Sequence, residues 1–386
     1  MANASSPTAK KPAKKQKFHP YPFYSPRFWH GMRWTDLWIM FARNRFRMHL
    51  LRVPMFVLVI MCGAFNSFLH WIEQLRFGKR IRDTKISQPP IFIIGHWRSG
   101  TTHLHELMVR DERFAFPTTY ECFAPSHFLV TGWILPRTLA FLLPKKRPMD
   151  NMEFGFEHPQ EDEFALIGLG APSPYLRCAF PNDPAPYMEF LDMEGTEPKD
   201  LARFKRNLHE FIQRLEIEKK GKRLILKSPP HTGRIQMLSE MFPGAIFIHI
   251  VRNPFSIFPS TQRLWLSLDE VQGFQFPHYK NLDEYVFSAF ERMYSGFEKQ
   301  RANIGNSTLY EIRYEDLVKD PVNELAKLYE TLNLGSFETM RPNLEAYLRT
   351  QENYRTNRLD LAPEIKSEIR RRWSGYMERY GYGKEA

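Results

Sequence analysis

Four short apolar runs, each marked off by proline or glycine, stand out in the second part of the chain. They are PPIFIIG at 89–95, RLILKSPPH at 223–231, GAIFIHIVRNP at 244–254 and STLYEIRYEDL at 307–317. The first three are apolar at consecutive positions rather than at every second one, which predicts strands buried on both faces. A helical pattern, TGRIQMLSEMF, fills 232–242 between the second and third runs, and PVNELAKLYETLNL at 321–334 follows the fourth with proline at its start. Strands alternating with helices predict an α/β fold, a central parallel sheet flanked by helices. Residues 111–200 are rich in proline and poorly periodic. They are expected to form loops and short helices over the carboxyl edge of the sheet, where open α/β sheets bind ligands. No internal repeat is visible.

The longest apolar run lies earlier, at VPMFVLVIMCGAFNSFLHWI, Val53 to Ile72, with no Asp, Glu, Lys or Arg between Arg52 and Glu73. Its length meets the rough requirement of about 20 residues for a spanning helix. Asn66, Ser67 and His70 make its second half polar for lipid, and basic residues flank both ends: Arg43, Arg45, Arg47 and Arg52 before, Arg76, Lys79, Arg80, Arg82 and Lys85 after. Such symmetry gives no positive-inside bias and suits a helix lying in an anionic interface. A spanning helix and a buried soluble helix are the other readings. The aromatic-rich stretch at 18–46 upstream fits an interfacial segment. The chain therefore divides into a disordered basic tail at 1–20, a membrane-associating N-terminal segment at 21–85 with its apolar helix, and a catalytic domain at 86–386.

Charge narrows the partners. The formal net charge is +11 and the pI about 9.4, which favours anionic ligands or an acidic membrane surface. Part of the excess sits in the tail, at Lys10, Lys11, Lys14, Lys15 and Lys17. Three cysteines, Cys62, Cys122 and Cys178, form neither a disulfide framework nor a zinc knuckle. The first apolar run begins too late for a secretory signal. These features favour a cytoplasmic catalytic domain at a membrane face. The alternative is a type II arrangement with a luminal domain, for which Asn306-Ser307-Thr308 would be a glycosylation triplet.

The chemistry begins at FIIGHWRSGTTHLHELM, 92–108. Gly95 and Gly100 keep the spacing of a phosphate-binding loop, but Thr101 stands where such a loop has lysine, and Arg98 lies inside it. The helix opening at Thr101 points free N–H groups and its positive dipole end at the turn, and Thr101 and Thr102 add hydroxyls. Without the lysine, a kinase or NTPase using triphosphate and Mg²⁺ is disfavoured. A second anchor is IVRNPFSIFPSTQR, where Arg252 ends a strand and Ser260 follows eight residues on. Arginine and serine together suit another phosphate.

These two pieces resemble the PAPS-dependent sulfotransferases, and the resemblance runs from about Pro89 to the end of the chain. It is nearest to the branch of tyrosylprotein sulfotransferases and bacterial enzymes acting on lipid-like alcohols. That branch has Pro-Arg-Ser-Gly-Thr-Thr in the loop; here Trp97 replaces the proline before Arg98, Ser99, Gly100, Thr101 and Thr102. The resemblance implies that the loop grips the 5′-phosphosulfate of PAPS, that Arg252 and Ser260 grip the 3′-phosphate, and that Tyr314 of RYEDL lies near the nucleotide. It implies that Lys227 of LKSPPH stabilises the leaving phosphate together with Arg98, and that PAP is the product. It also relates NYRTNRLDL and EIRRRWSGYMERYGY to the family's basic tract and final helix.

A hydroxyl acceptor must lose its proton as it attacks sulfur, so a base must be in reach. The resemblance points to Glu121 in FPTTYECFAPSH, with His231 as rival and His96 behind it. No metal is expected: His103 and His105 are two apart on a helix and face away from each other. Glu161, Asp162 and Glu163 after Pro159 read first as acids favoured in an opening helical turn, and second as part of an acceptor pocket. GLGAP at 168–172 lacks the third glycine of a dinucleotide fingerprint. The expected function is transfer of a sulfuryl group from PAPS to a hydroxyl on a small-molecule, lipid or glycan acceptor. A P-loop kinase or NTPase and a non-catalytic polyanion- or membrane-binding protein are the alternatives, and nucleic acid is not an expected partner.

Overall fold

The structure, a computed structural model, describes residues 25–142, 155–305, 308–351 and 361–383. The basic tail, part of the glycosylation triplet and most of NYRTNRLDL lie outside them.

Five parallel strands form the sheet: β1 (Ile91–Ile94), β2 (Phe114–Ala115), β3 (Arg223–Lys227), β4 (Ile246–Val251) and β5 (Leu309–Arg313), in the order β2-β3-β1-β4-β5. Every residue of β1 and β4 is buried, as their unbroken apolar character predicts. Side chains alternate between two cores. Ile91 and Ile93 join Ile248, Leu325 and Leu328 on one face. Phe92 and Ile94 join Phe247, Leu226 and Phe258 on the other. From β1 the chain steps out to β2 and returns through β3, whereas β4 and β5 lie on the opposite side of β1. The order reverses between β1 and β4, which places a ligand crevice beyond their carboxyl ends.

Ahead of the sheet come α1 (Trp34–Arg43) and α2 (Val53–Asp83). The apolar run is the first two-thirds of α2, which continues through the basic residues to Asp83. One face of α2 is docked on the rest of the fold. Val59 and Gly63 are buried, and a Cβ on Gly63 would lie 2.4 Å from a Leu37 methyl. The Asn66 amide donates to the carbonyls of His30 and Met32 at 2.6 and 3.0 Å. Glu73 meets Arg214 of the Pro198–Glu218 helix at 2.9 Å, both side chains fully buried, and also accepts from the Leu129 amide.

Burial pushes the Glu73 carboxyl up from 4.5 to about 7, against the pull of Arg214. A group raised on folding contributes stability below its unfolded pKa and loses it as pH rises through the folded value. The melting temperature is therefore expected to fall between about pH 5 and about pH 8, and a Glu73→Gln variant to show a flatter profile over that window. Thermal melts across the range check this.

Candidate active site

The loop after β1 turns through Gly95 (φ 146°), Arg98 (φ 69°) and Gly100 (φ 108°) into α3 (Thr101–Met108). Two of the three left-handed positions are glycine for a visible reason. A Cβ at Gly95 would lie 2.5 Å from the Ile250 carbonyl oxygen, and one at Gly100 would lie 2.3 Å from the Tyr314 ring. The Gly95 amide donates to the Thr232 hydroxyl at 2.7 Å, which ties the loop to the segment after β3. Ser99 is fully buried, and its hydroxyl has no hydrogen-bond partner among the described residues. A buried hydroxyl of this kind, beside the opening turn of a helix, suits an anionic oxygen.

The second anchor converges on the first. Arg98 Nε donates to Ser260 Oγ at 2.8 Å, and Arg252 donates to the Arg98 carbonyl at 3.0 Å. The Arg252 guanidinium lies over the Tyr314 ring, 4.1 Å from its centre. The backbone of Arg252 is clamped from the carboxyl-terminal part of the chain: its amide donates to the Tyr376 hydroxyl, which donates in turn to the Arg252 carbonyl. Burial, with the Arg252 charge, lowers His103 to about 4, so this histidine adds no positive charge at neutral pH. Arg98, Ser99, Gly100, Thr101, Arg252, Ser260 and Tyr314 thus meet at the reversal point of the sheet, and Thr102 follows in the first turn of α3.

Lys227 ends β3 beside this crevice, and its ammonium group meets Glu161 Oε1 at 2.7 Å. The other Glu161 oxygen accepts from the Tyr175 hydroxyl at 2.7 Å, and Tyr175 accepts from Trp97 Nε1 at 2.7 Å. Trp97, which departs from the family's loop pattern, therefore links the loop to the carboxylate on Lys227. Burial drives the Tyr175 hydroxyl well above its usual pKa, with the Glu161 charge adding to the effect. It serves as a neutral donor.

The neighbours of Glu161 and Lys227 interlock as well. Asp162 accepts from Ser228 at 2.8 Å and meets His231 at 2.6 Å; Glu163 holds Arg234 through both carboxylate oxygens at 2.7 and 3.1 Å. Burial would raise the Asp162 carboxyl, but the charge and hydrogen bond of His231 and the Ser228 hydroxyl hold it below its usual range. The acids do occupy a helix opening, since Asp162 and Glu163 lie in the first turn of the Asp162–Gly168 helix. Their side chains, however, are fixed by the segment after β3.

Glu121 has different partners. It is the third residue of α4 (Thr119–Phe123), where it completes a capping box with Thr118. Its other oxygen meets Lys219 at 2.6 Å, a residue that precedes the amino end of β3. Contact with Lys227 belongs to Glu161 instead. His231, enclosed between Asp162 and Arg234, is fully buried. His96 is also fully buried, and burial lowers it to about 3. No cluster of metal-ligating side chains occurs among the described residues.

Residues 89–339 match the family model described as the sulfotransferase family. The chain belongs to that family. It is 43% identical over 354 residues to the omega-hydroxy-beta-dihydromenaquinone-9 sulfotransferase Stf3 of Mycobacterium bovis, covering 92% of this chain and 91% of that protein; the same figures hold for Stf3 of Mycobacterium tuberculosis. The fold is shared with two solved sulfotransferases. STF9 of Mycobacterium avium superposes with a TM-score of 0.64 at 17% identity over 81% of each chain. STF1 of Mycobacterium tuberculosis H37Rv gives 0.62 at 16% identity over 88% of this chain and 90% of that one. In this sulfotransferase the sheet and its flanking helices are as the sequence predicts, and the apolar N-terminal helix is present.

Proposed function

We propose that this enzyme transfers a sulfuryl group from PAPS to a hydroxyl at the end of a long apolar acceptor of the prenylquinone class. The observation that carries the donor assignment is the meeting of Arg98, Arg252 and Ser260 at the reversal point, beside the Lys227–Glu161 pair. Ser99, Thr101, Thr102 and the opening of α3 would receive the 5′-phosphosulfate, and Arg252 and Ser260 the 3′-phosphate, with Tyr314 beside the nucleotide. Two supports favour the acceptor class. Stf3 is named for an omega-hydroxylated dihydromenaquinone, and 43% identity over nearly the whole chain favours related chemistry. An aromatic wall also stands against the Glu161 side of the site: Phe164 stacks on Phe28 at 4.2 Å and lies 5.2 Å from the Tyr175 ring.

In the proposed reaction the acceptor oxygen attacks sulfur in line, and the bond from sulfur to the phosphate oxygen breaks with its electron pair leaving on PAP. Lys227 donates to that leaving oxygen, and Arg98 balances charge on the sulfuryl oxygens. Glu161 takes the acceptor's proton. We assign it this role ahead of Glu121, because Lys227 turning to the donor would uncover a carboxylate already oriented by Tyr175. Glu121 stays committed to Thr118 and Lys219.

The test supplies the full chain with PAPS carrying a radiolabelled sulfuryl group. Label is expected in the organic extract with an omega-hydroxylated prenylquinone and not with its unhydroxylated parent. Equal labelling of a water-soluble glycan would overturn the acceptor assignment. Turnover supported by another sulfuryl donor in place of PAPS would overturn the donor.

A further inference from the structure

The geometry points to α2 as an in-plane membrane anchor: we propose that its outward face lies on an anionic bilayer, parallel to the surface, without crossing it. This inference rests on the packing of α2 and stands apart from the identity of the acceptor.

The outward residues recur at three- and four-residue spacing. Val57, Met61, Phe65, Phe68, Trp71 and Leu75 are exposed by 47, 64, 53, 56, 58 and 67%. That is one continuous apolar stripe along a helix of 31 residues. Trp34 and Trp38 of α1 widen it beside the amino-terminal part of α2, with Trp38 packed 6.3 Å from Phe56. An apolar face this large on a folded enzyme marks a contact surface. Its composition selects the partner. Tryptophans and phenylalanines share the face with no exposed acid between Arg52 and Asp83. Beyond Leu75 the exposed side of the helix continues into Arg76, Lys79 and Arg80, and exposed Arg43, Arg45 and Arg47 stand before its other end. Cations at both ends of an apolar stripe complement anionic headgroups.

The opposite face excludes a crossing. Asn66 and Glu73 are buried and hydrogen-bonded to the enzyme, and His70 meets the Ser126 carbonyl at 3.0 Å. A helix drawn out to span would abandon those contacts and carry a carboxylate, an amide and an imidazole into lipid, where each lacks a partner. In the plane, the same helix keeps them.

Two experiments on the full chain test this. In the first, the protein is floated with vesicles of phosphatidylcholine alone or with about a third phosphatidylglycerol. The mixed vesicles are expected to bind it more tightly, and added salt to reduce the difference. A Phe65→Glu, Phe68→Glu double variant is expected to lose about a hundredfold in partitioning. Its melting temperature and PAP affinity should match the parent's, which separates lost membrane contact from misfolding or a damaged site. In the second, Arg45→Cys and Lys79→Cys are made in a Cys62→Ala background and treated with an impermeant maleimide outside sealed vesicles. Labelling of both from the same side supports the in-plane helix; protection of only one shows a crossing and overturns it. Failure of the parent to float, with the double variant converting a dimer to a monomer, would assign the stripe to a second copy and overturn the proposal.

Discussion

Replacing Glu161 by glutamine is expected to lower kcat by about a thousandfold, within the usual range for loss of a general base. Glutamine keeps the size of the side chain and one acceptor oxygen for Lys227, while its NH2 can donate to the Tyr175 hydroxyl oxygen, so the loop and the donor site should remain. PAP affinity measured by calorimetry should then change by less than about threefold, since the loss falls on the proton transfer alone. Glu121→Gln is the informative partner. It weakens a capping box and a contact with Lys219, so it should cost about 1 kcal/mol of stability while kcat stays within about threefold. The two variants separate in kcat, which the first loses and the second keeps. A dead Glu121→Gln enzyme beside an active Glu161→Gln enzyme would return the proton to Glu121 and leave Glu161 as a tether for Lys227.

Arg252→Ala is expected to weaken PAP binding by about a hundredfold, ~3 kcal/mol, from loss of a charge-assisted contact to phosphate. The control ligand is adenosine 5′-phosphosulfate, which lacks the 3′-phosphate. Its affinity should be nearly unchanged by the substitution, because Arg252 has nothing to grip on it. Arg252 also donates to the Arg98 carbonyl and rests on Tyr314. If both ligands weaken equally, its role is to hold the loop, and the 3′-phosphate must be bound elsewhere. Calorimetric titration of the two ligands with parent and variant decides between these outcomes.

The fold was readable from the sequence because its strands are buried on both faces and its phosphate-type loop is local. IFII and IFIHIV admit no alternating pattern, and the spacing of Gly95 to Gly100 needs only the strand and helix on either side of it. The short β2 escaped notice, since two residues give no period to detect. α2 runs eleven residues past the apolar run that announced it, because the basic residues after Ile72 favour helix as well as the apolar ones do. The acids at 161–163 show where local reasoning stops. They fit a helix opening, and that is where they lie. Besides the nearby Tyr175 and Ser173, they have partners 66 or more residues away, and only the return of the chain through β3 brings Lys227, Ser228, His231 and Arg234 to them. The resemblance points to Glu121 by its place shortly after the first helix; its contact with Lys219, just before the amino end of β3, could not be read from that place in the chain.

The interlock of 161–163 with 227–234 also bears on how this family can be re-engineered. A graft that brings in a foreign acceptor-facing segment around Glu161 alone would set new side chains against Lys227, His231 and Arg234, all of which are buried. Buried charges tolerate little mismatch. The two stretches are best treated as one cassette, exchanged together or left alone, even though more than fifty residues of chain separate them.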